Sequence, residues 1–294
     1  MNVRMAGWEG RRRVSPRRSS FRTIALLTLI PVFGLLGLLV WSFVAQAPFV
    51  VVRSPLSVVR HTRPRATGNA QRATPRGRIV LILDDVGFDH QPIAAAMQID
   101  PNVNFSILPN ARRAFDYANL LHEHGFEVLC HLPMEPEQFP RVSPGSGAVL
   151  TSMSDEEIAR TTVAGVEGVP YARGVNNHMG SRATADRRVM ESVLAALPHG
   201  MYFIDSRTTG TSVAAAVARE MRVRSATRNV FLDDLATEPA VRAQLRELAR
   251  EAQAHGVAVG IGHMYPATVR ALTSEAPVLR REGFRFVRAS EAVR

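Results

Sequence analysis

Hydrophobic and polar positions divide the chain into three stretches. From Thr23 to Val52 no charged side chain occurs, and the most apolar part, Ile24 to Val44, reaches the length of a bilayer-spanning helix, which needs about 20 residues. Pro31, Gly34 and Gly37 fall inside this run, and membrane helices tolerate such residues. Residues 53–77 are rich in Arg, Pro, Thr, Ser and Gly, with few apolar side chains after Val59. Such a composition buries too little surface to offset the entropy of ordering, which predicts a disordered stalk. From Arg78 onward, short apolar runs alternate with amphipathic stretches. The pattern predicts four parts: a basic tail over 1–23, a transmembrane segment over 24–44, a stalk over 45–77 and a folded domain over 78–294.

Within the domain, Arg78–Leu83 (RIVLIL) has the composition of a strand covered on both faces. Further strands are predicted at Asn104–Ile107, Glu127–His131, Gly174–Asn176, Met201–Asp205, Asn229–Leu232, Val257–Ile261 and Phe284–Val287. Helices are predicted between them. Ala111–His124 carries Ala114, Tyr117, Ala118 and Leu121 on one face and ends at Gly125. Ser154 and Glu157 form a capping box that opens a helix running to about Val166. Ala185–Leu197, Thr211–Glu220 and Pro239–His255 complete the set. Repeated βα units predict an α/β fold with a parallel sheet, and this many predict a distorted, incomplete (β/α) barrel.

Charge alters the picture in its distribution. The formal net charge is +10, but residues 1–78 hold 14 Arg against a single acid, Glu9, and the remainder holds 22 basic against 25 acidic residues. The domain is therefore mildly acidic, which argues against nucleic-acid binding. Arginines precede the apolar run more densely than they follow it, which predicts a cytoplasmic N-terminus and an exported domain anchored in the cytoplasmic membrane. Ala45-Gln46-Ala47 offers a cleavage site for a removable signal peptide as the competing expectation. All basic residues other than His are Arg. The absence of Lys excludes Schiff-base catalysis and the Lys of a phosphate-binding loop. With Cys130 as the single cysteine, no internal disulfide can form. Oligomeric state leaves no mark on the sequence.

Candidate chemistry sits where the strands end. Asp84 and Asp85 follow the first, His131 and Glu135 the third, Asn176, Asn177 and His178 the fourth, with Ser181 and Arg182 close behind. Asp205, Ser206 and Arg207 follow the fifth, and His263 follows VAVGIG. Carboxylates and imidazoles delivered by five strands to one sheet edge are the pattern of an active site built from βα loops. The other histidines lie in the stalk, in the first loop or at helix ends and are assigned no chemistry.

The spans Ile82–Gly87 (ILDDVG), His131–Pro136 (HLPMEP), Asn176–Arg182 (NNHMGSR), Phe203–Arg207 (FIDSR), Asn229–Asp234 (NVFLDD) and Ile261–His263 (IGH) resemble the divergent polysaccharide deacetylases. These are distant relatives of the NodB-type carbohydrate esterases. The resemblance implies a distorted barrel in which a divalent metal, usually zinc, activates water to remove N- or O-acetyl groups from a cell-envelope polysaccharide. It implies Asp84 as general base, Asp85 and His131 as metal ligands, and His263 as general acid with Asp205 or another carboxylate holding its ring. The His-x-x-x-His pair of the relatives is broken here, because Glu135 occupies the second position. Glu135 or His178 is then the further ligand. The relatives' Arg-Pro-Pro-Tyr segment is absent as well. Asn177, Arg182 and Arg207 are candidate substrate contacts, with Arg182 and Arg207 alternatively pairing with Asp205 and Asp186. A binding barrel without turnover is the competing expectation.

Overall fold

The apolar run that begins at Arg78 becomes the longest strand, β1 (Gly77–Val86), in a computed structural model that describes residues 75–294. The predicted tail, transmembrane segment and nearly all of the stalk lie outside the described residues. Among the described residues, no helix is long and apolar enough to cross a membrane.

After β1 come α1 (Ile93–Ala96), β2 (Asn104–Ile107), α2 (Ala114–Glu123), β3 (Glu127–Met134), α3 (Asp155–Glu167), β4 (Gly174–Met179), α4 (Arg187–Ala195) and β5 (Tyr202–Asp205). The chain continues through α5 (Ala214–Glu220), β6 (Ser225–Thr227), β7 (Val230–Phe231), α6 (Glu238–His255), β8 (Val257–His263), α7 (Pro266–Arg281) and β9 (Phe284–Val287). Short 3-10 turns occur at Ala183–Ala185 and Ala289–Glu291. The nine strands of the described residues form one sheet, eight of them in the order β6-β5-β4-β3-β2-β1-β8-β7 and β9 off this path against β1. In it β1 pairs with β2 through its upper half and with β9 through its lower half. Every pairing is parallel. The order ends at β6 and β7, so the sheet curls into a half-barrel without closing.

Two apolar layers follow from the period of two in a strand. Ile79, Leu81 and Leu83 point outward into the larger layer beneath the helices, with Leu121, Val193, Leu248 and Leu272. Val80 and Ile82 point inward and meet Leu129, Tyr202, Ile204, Val259 and Ile261. The C-terminal turn closes the interior at the N-terminal ends of the strands. There Ala289 N donates to Asn104 Oδ1 at 2.9 Å, Ser290 N donates to Glu127 Oε1 at 2.8 Å, and Tyr202 Oη donates to the same Glu127 oxygen at 2.7 Å. Buried Glu127 and Asn104 are thus paired, as burial of polar groups requires. The opposite end of the barrel stays open.

The predicted capping box is present, with Ser154 Oγ accepting from Glu157 N and Glu157 Oε2 accepting from Ser154 N at 2.8 Å. Sequence pattern missed α1, β6 and α7. In α7 the interior Pro277 removes one backbone hydrogen bond and reads as a breaker. The helix forms nevertheless because Val269, Leu272, Ala276 and Leu279 are buried, each large apolar side chain contributing about 1.5–3 kcal/mol.

Candidate active site

Strand alternation aims the site. On β1 the inward column Val80, Ile82 is continued by Asp84; on β3 Leu129 is continued by His131; on β8 Val259 and Ile261 are continued by His263. Asn176 and His178 hold the same phase on β4, where Asn176 lies opposite His131 across the β3–β4 ladder. Asp84 lies opposite His263 across the β1–β8 ladder. Asp85 has the wrong phase for an ideal strand. A break in register between Leu83 and Val86 and a left-handed backbone at Asp85, φ 57°, bring it to the same cleft. Such a conformation in a non-glycine residue costs roughly 1–3 kcal/mol and clusters at functional sites. Gly87 relieves the next turn with φ 135°, and a side chain there would strike Ala111 Cβ at 2.5 Å.

Three donor atoms converge at this edge. Asp85 Oδ1 lies 3.3 Å from His131 Nε2 and 2.9 Å from His178 Nδ1, and the two nitrogens are 3.2 Å apart. Four-coordinate zinc with bonds of about 2.0–2.1 Å spaces its ligand atoms about 3.3–3.4 Å apart, close to this triangle. Asp85 Oδ1 is buried and has no well-formed hydrogen bond, and a buried carboxylate oxygen without a donor calls for a cation. The donor set therefore fits a divalent metal, which one carboxylate and two imidazoles would hold.

Asn176, fully buried, is the hub behind these ligands. Its Oδ1 accepts from Ser106 Oγ and from His131 Nδ1 at 3.1 Å, while Nδ2 donates to Asp84 Oδ1 and Oδ2 at 3.0 and 3.1 Å and to Ser206 Oγ at 3.1 Å. Because the amide oxygen cannot donate, His131 carries a proton on Nδ1, and Nε2, which faces Asp84 and Asp85, is the atom available to a metal.

The adjacent aspartates are driven apart. Burial raises the Asp84 carboxyl above its ordinary range, outweighing the pull of His131, His263 and Asn176. Asp85, although burial opposes ionisation, is held far below the ordinary range by His131 and His178. Paired carboxylates separated in this way divide into a proton carrier and a permanent anion. His263 is pushed up to about 9: burial opposes the charge, but Asp233, Asp84 and Asp85 overcome it.

Asp233 is the residue that sequence reasoning missed. Its Oδ1 lies 3.0 Å from His263 Nδ1, and its Oδ2 accepts from His263 N at 2.7 Å and Thr268 Oγ1 at 2.8 Å. The signal was a second Leu-Asp-Asp at Leu232–Asp234, a copy of Leu83–Asp85 at another strand end.

Several expectations require correction. Asp205 does not hold His263. It falls on the outward phase of β5 and accepts from Ser212 Oγ and Arg207 N, both at 2.8 Å. Glu135 stands apart from the donor cluster as well. The bridge between Met134 and Val149 carries it to Thr151, where Oε2 accepts from the backbone N at 2.5 Å and from Oγ1 at 2.7 Å. Its Oε1 accepts from Arg182 Nη1 at 2.8 Å. These bonds hold the Glu135 carboxyl below its ordinary range against the effect of burial. Arg182 is thereby engaged, and pairs with neither Asp205 nor Asp186. Asn177 lines the cleft, but its amide braces the β4 and β5 ends through Ser206 N at 2.9 Å and Met179 O at 2.7 Å. Arg207 does line the cleft, with Arg228, Phe231, Asp234 and Glu247, around a volume of about 760 Å³.

The sequence profile described as divergent polysaccharide deacetylase matches residues 81–293. The chain is 35% identical over 197 residues to the uncharacterized protein YibQ of Escherichia coli K12, a match covering 67% of this chain and 61% of that one. It is 33% identical over 198 residues to an uncharacterized protein of Haemophilus influenzae Rd, covering 67% and 70%. Among solved structures, an uncharacterized protein of Agrobacterium tumefaciens C58 has the same fold, with a TM-score of 0.71 at 20% identity over 74% of this chain and 89% of that one.

Proposed function

The chain belongs to the divergent polysaccharide deacetylase family, and we propose that it is a metal-dependent hydrolase that removes N- or O-acetyl groups from a cell-envelope polysaccharide. The observation that carries this reading is the convergence of Asp85, His131 and His178 beside a separately held Asp84 and an Asp233-backed His263. The two imidazoles and Asp85 would hold the ion, with zinc the best match to the donor set. A divalent ion there supplies Lewis acidity, polarising an acyl carbonyl and acidifying water, whose pKa falls from 15.7 to about 7 on zinc.

The protein's own groups supply the rest. Asp84 is buried, oriented by Asn176 and biased toward holding a proton. It is suited to take one from the attacking water as general base. His263 presents Nε2 to the cleft, while Asp233 secures the proton on Nδ1. With its affinity for protons raised, it delivers one from Nε2 to the departing amine or alcohol. Asp84 gains a proton and His263 loses one, so exchange with solvent restores both.

The Arg-flanked apolar run before the domain supports a single-pass anchor in the cytoplasmic membrane with the barrel on the outer side, where such glycans lie. The test is metal analysis of the full chain with acetate release from acetylated glycan strands. Asp84→Asn keeps shape and metal but loses the base, and activity should fall about 10²–10⁴-fold. Failure of the wild-type chain to bind a divalent ion at micromolar concentration refutes the hydrolase reading.

A further inference from the structure

Beside the donor cluster the cleft wall is cationic. Arg207 and Arg228 both line it. Arg228 is held in place: Nε donates to Ser206 O at 2.6 Å, Nη2 donates to Arg207 O at 2.8 Å, and the guanidinium lies over the Phe231 ring at 5.0 Å. All three partners are neutral. Arg207 follows the β5 end with a left-handed backbone, φ 49°. No described carboxylate forms an ion pair with either guanidinium. Of the nearby acids, Asp84 and Asp85 face the donor cluster, Glu247 pairs with Arg250, and the Asp205 carboxylate is taken up by Arg207 N and Ser212 Oγ; Asp205, Asp84 and Asp234 act on Arg228 through space without an ion pair. Burial and the neighbouring Arg207 lower the proton affinity of Arg228 by more than Asp205, Asp84 and Asp234 restore it, so the guanidinium, still charged, is under-compensated where it lies.

A folded protein gains nothing by holding an exposed and a partly buried guanidinium together on one wall with no ion pair to either. A backbone strained at one of them points to function. The guanidinium fork binds carboxylate or phosphate through paired hydrogen bonds. We propose that Arg207 and Arg228 form an anion subsite, so that the glycan bound here carries a carboxylate or phosphate near the acyl group removed. The inference rests on the hydrolase reading for its orientation but not for its test.

Binding of three sugars to the metal-free full chain, measured by calorimetry, decides it. The probes are N-acetylmuramic acid, N-acetylglucosamine 6-phosphate and neutral N-acetylglucosamine. At least one anionic sugar should bind about tenfold or more tighter than the neutral one, as a charge-assisted hydrogen bond implies. Which one does so identifies the anion. Arg207→Gln, a change at an exposed side chain that holds no other element, should abolish the preference. Arg228→Lys keeps the charge without the fork and should reduce it. Equal binding of all three sugars overturns the subsite, and so does a preference that survives in Arg207→Gln. Because no turnover is read, an inactive chain that keeps the preference refutes the hydrolase reading alone.

Discussion

Replacing Asn176 with Leu probes the hub with a side chain of the same branching and heavy-atom count that can neither donate nor accept. The substitution removes the amide donated to Asp84, the bond to Ser206 Oγ, and the oxygen that accepts from His131 Nδ1 and Ser106 Oγ. A bond to an ionised carboxylate contributes about 1.5–3 kcal/mol and each neutral one about 1 kcal/mol, giving a gross loss of about 4.5–6 kcal/mol. Burial of the Leu methyls and protonation of Asp84 offset part of it, leaving a net destabilisation of roughly 3–5 kcal/mol. In urea unfolding of the metal-free protein, the midpoint should fall by roughly 1.5–2.5 M at a slope of about 2 kcal/mol per M. His131 loses the partner that fixes its tautomer, so metal affinity should also fall about 10–100-fold. A loss below about 1 kcal/mol together with undiminished metal affinity would refute the role assigned to Asn176.

Three further outcomes are expected. Metal titration should show His178→Ala abolishing tight binding while Glu135→Gln preserves it, since the Glu135 carboxylate is taken up by Thr151 and Arg182; the reverse result would restore Glu135 as the ligand. In NMR titration of the metal-free protein, His263 should titrate at about 9, and Asp233→Asn should lower that value. Because the folded value lies above an unfolded one of about 6.5, the stability from this pair is complete below about pH 6.5 and disappears as pH rises through about 9. Asp205→Asn should leave the His263 titration nearly unchanged, because the Asp205 carboxylate bonds Ser212 and Arg207 N on the outer face.

What the amino-acid sequence determines by itself is local. Apolar β-branched runs ended by polar residues locate the strands, and the period of two already assigns Asp84, His131 and His263 to one column each, because inward apolar residues precede them at even spacing. The same count would have put Asp205 on the other face, one position beyond Ile204. The capping box at Ser154 and Glu157 is equally local and equally legible. Pairing between distant segments is decided elsewhere. Which carboxylate backs His263 depends on β7 and β8 being neighbours, and Asp233 reaches the ring across a separation of 30 residues. Whether Glu135 or His178 joins Asp85 depends on the loop after β3, which the Met134–Val149 bridge draws away from the cleft. The hub at Asn176 and the neighbouring charges of Arg207 and Arg228 likewise arise from sheet order and register. A hydrogen bond or a coordination triangle depends on positions within a few tenths of an ångström. Hydrophobic pattern fixes which face a side chain takes, while the packed sheet alone fixes which side chains on that face meet.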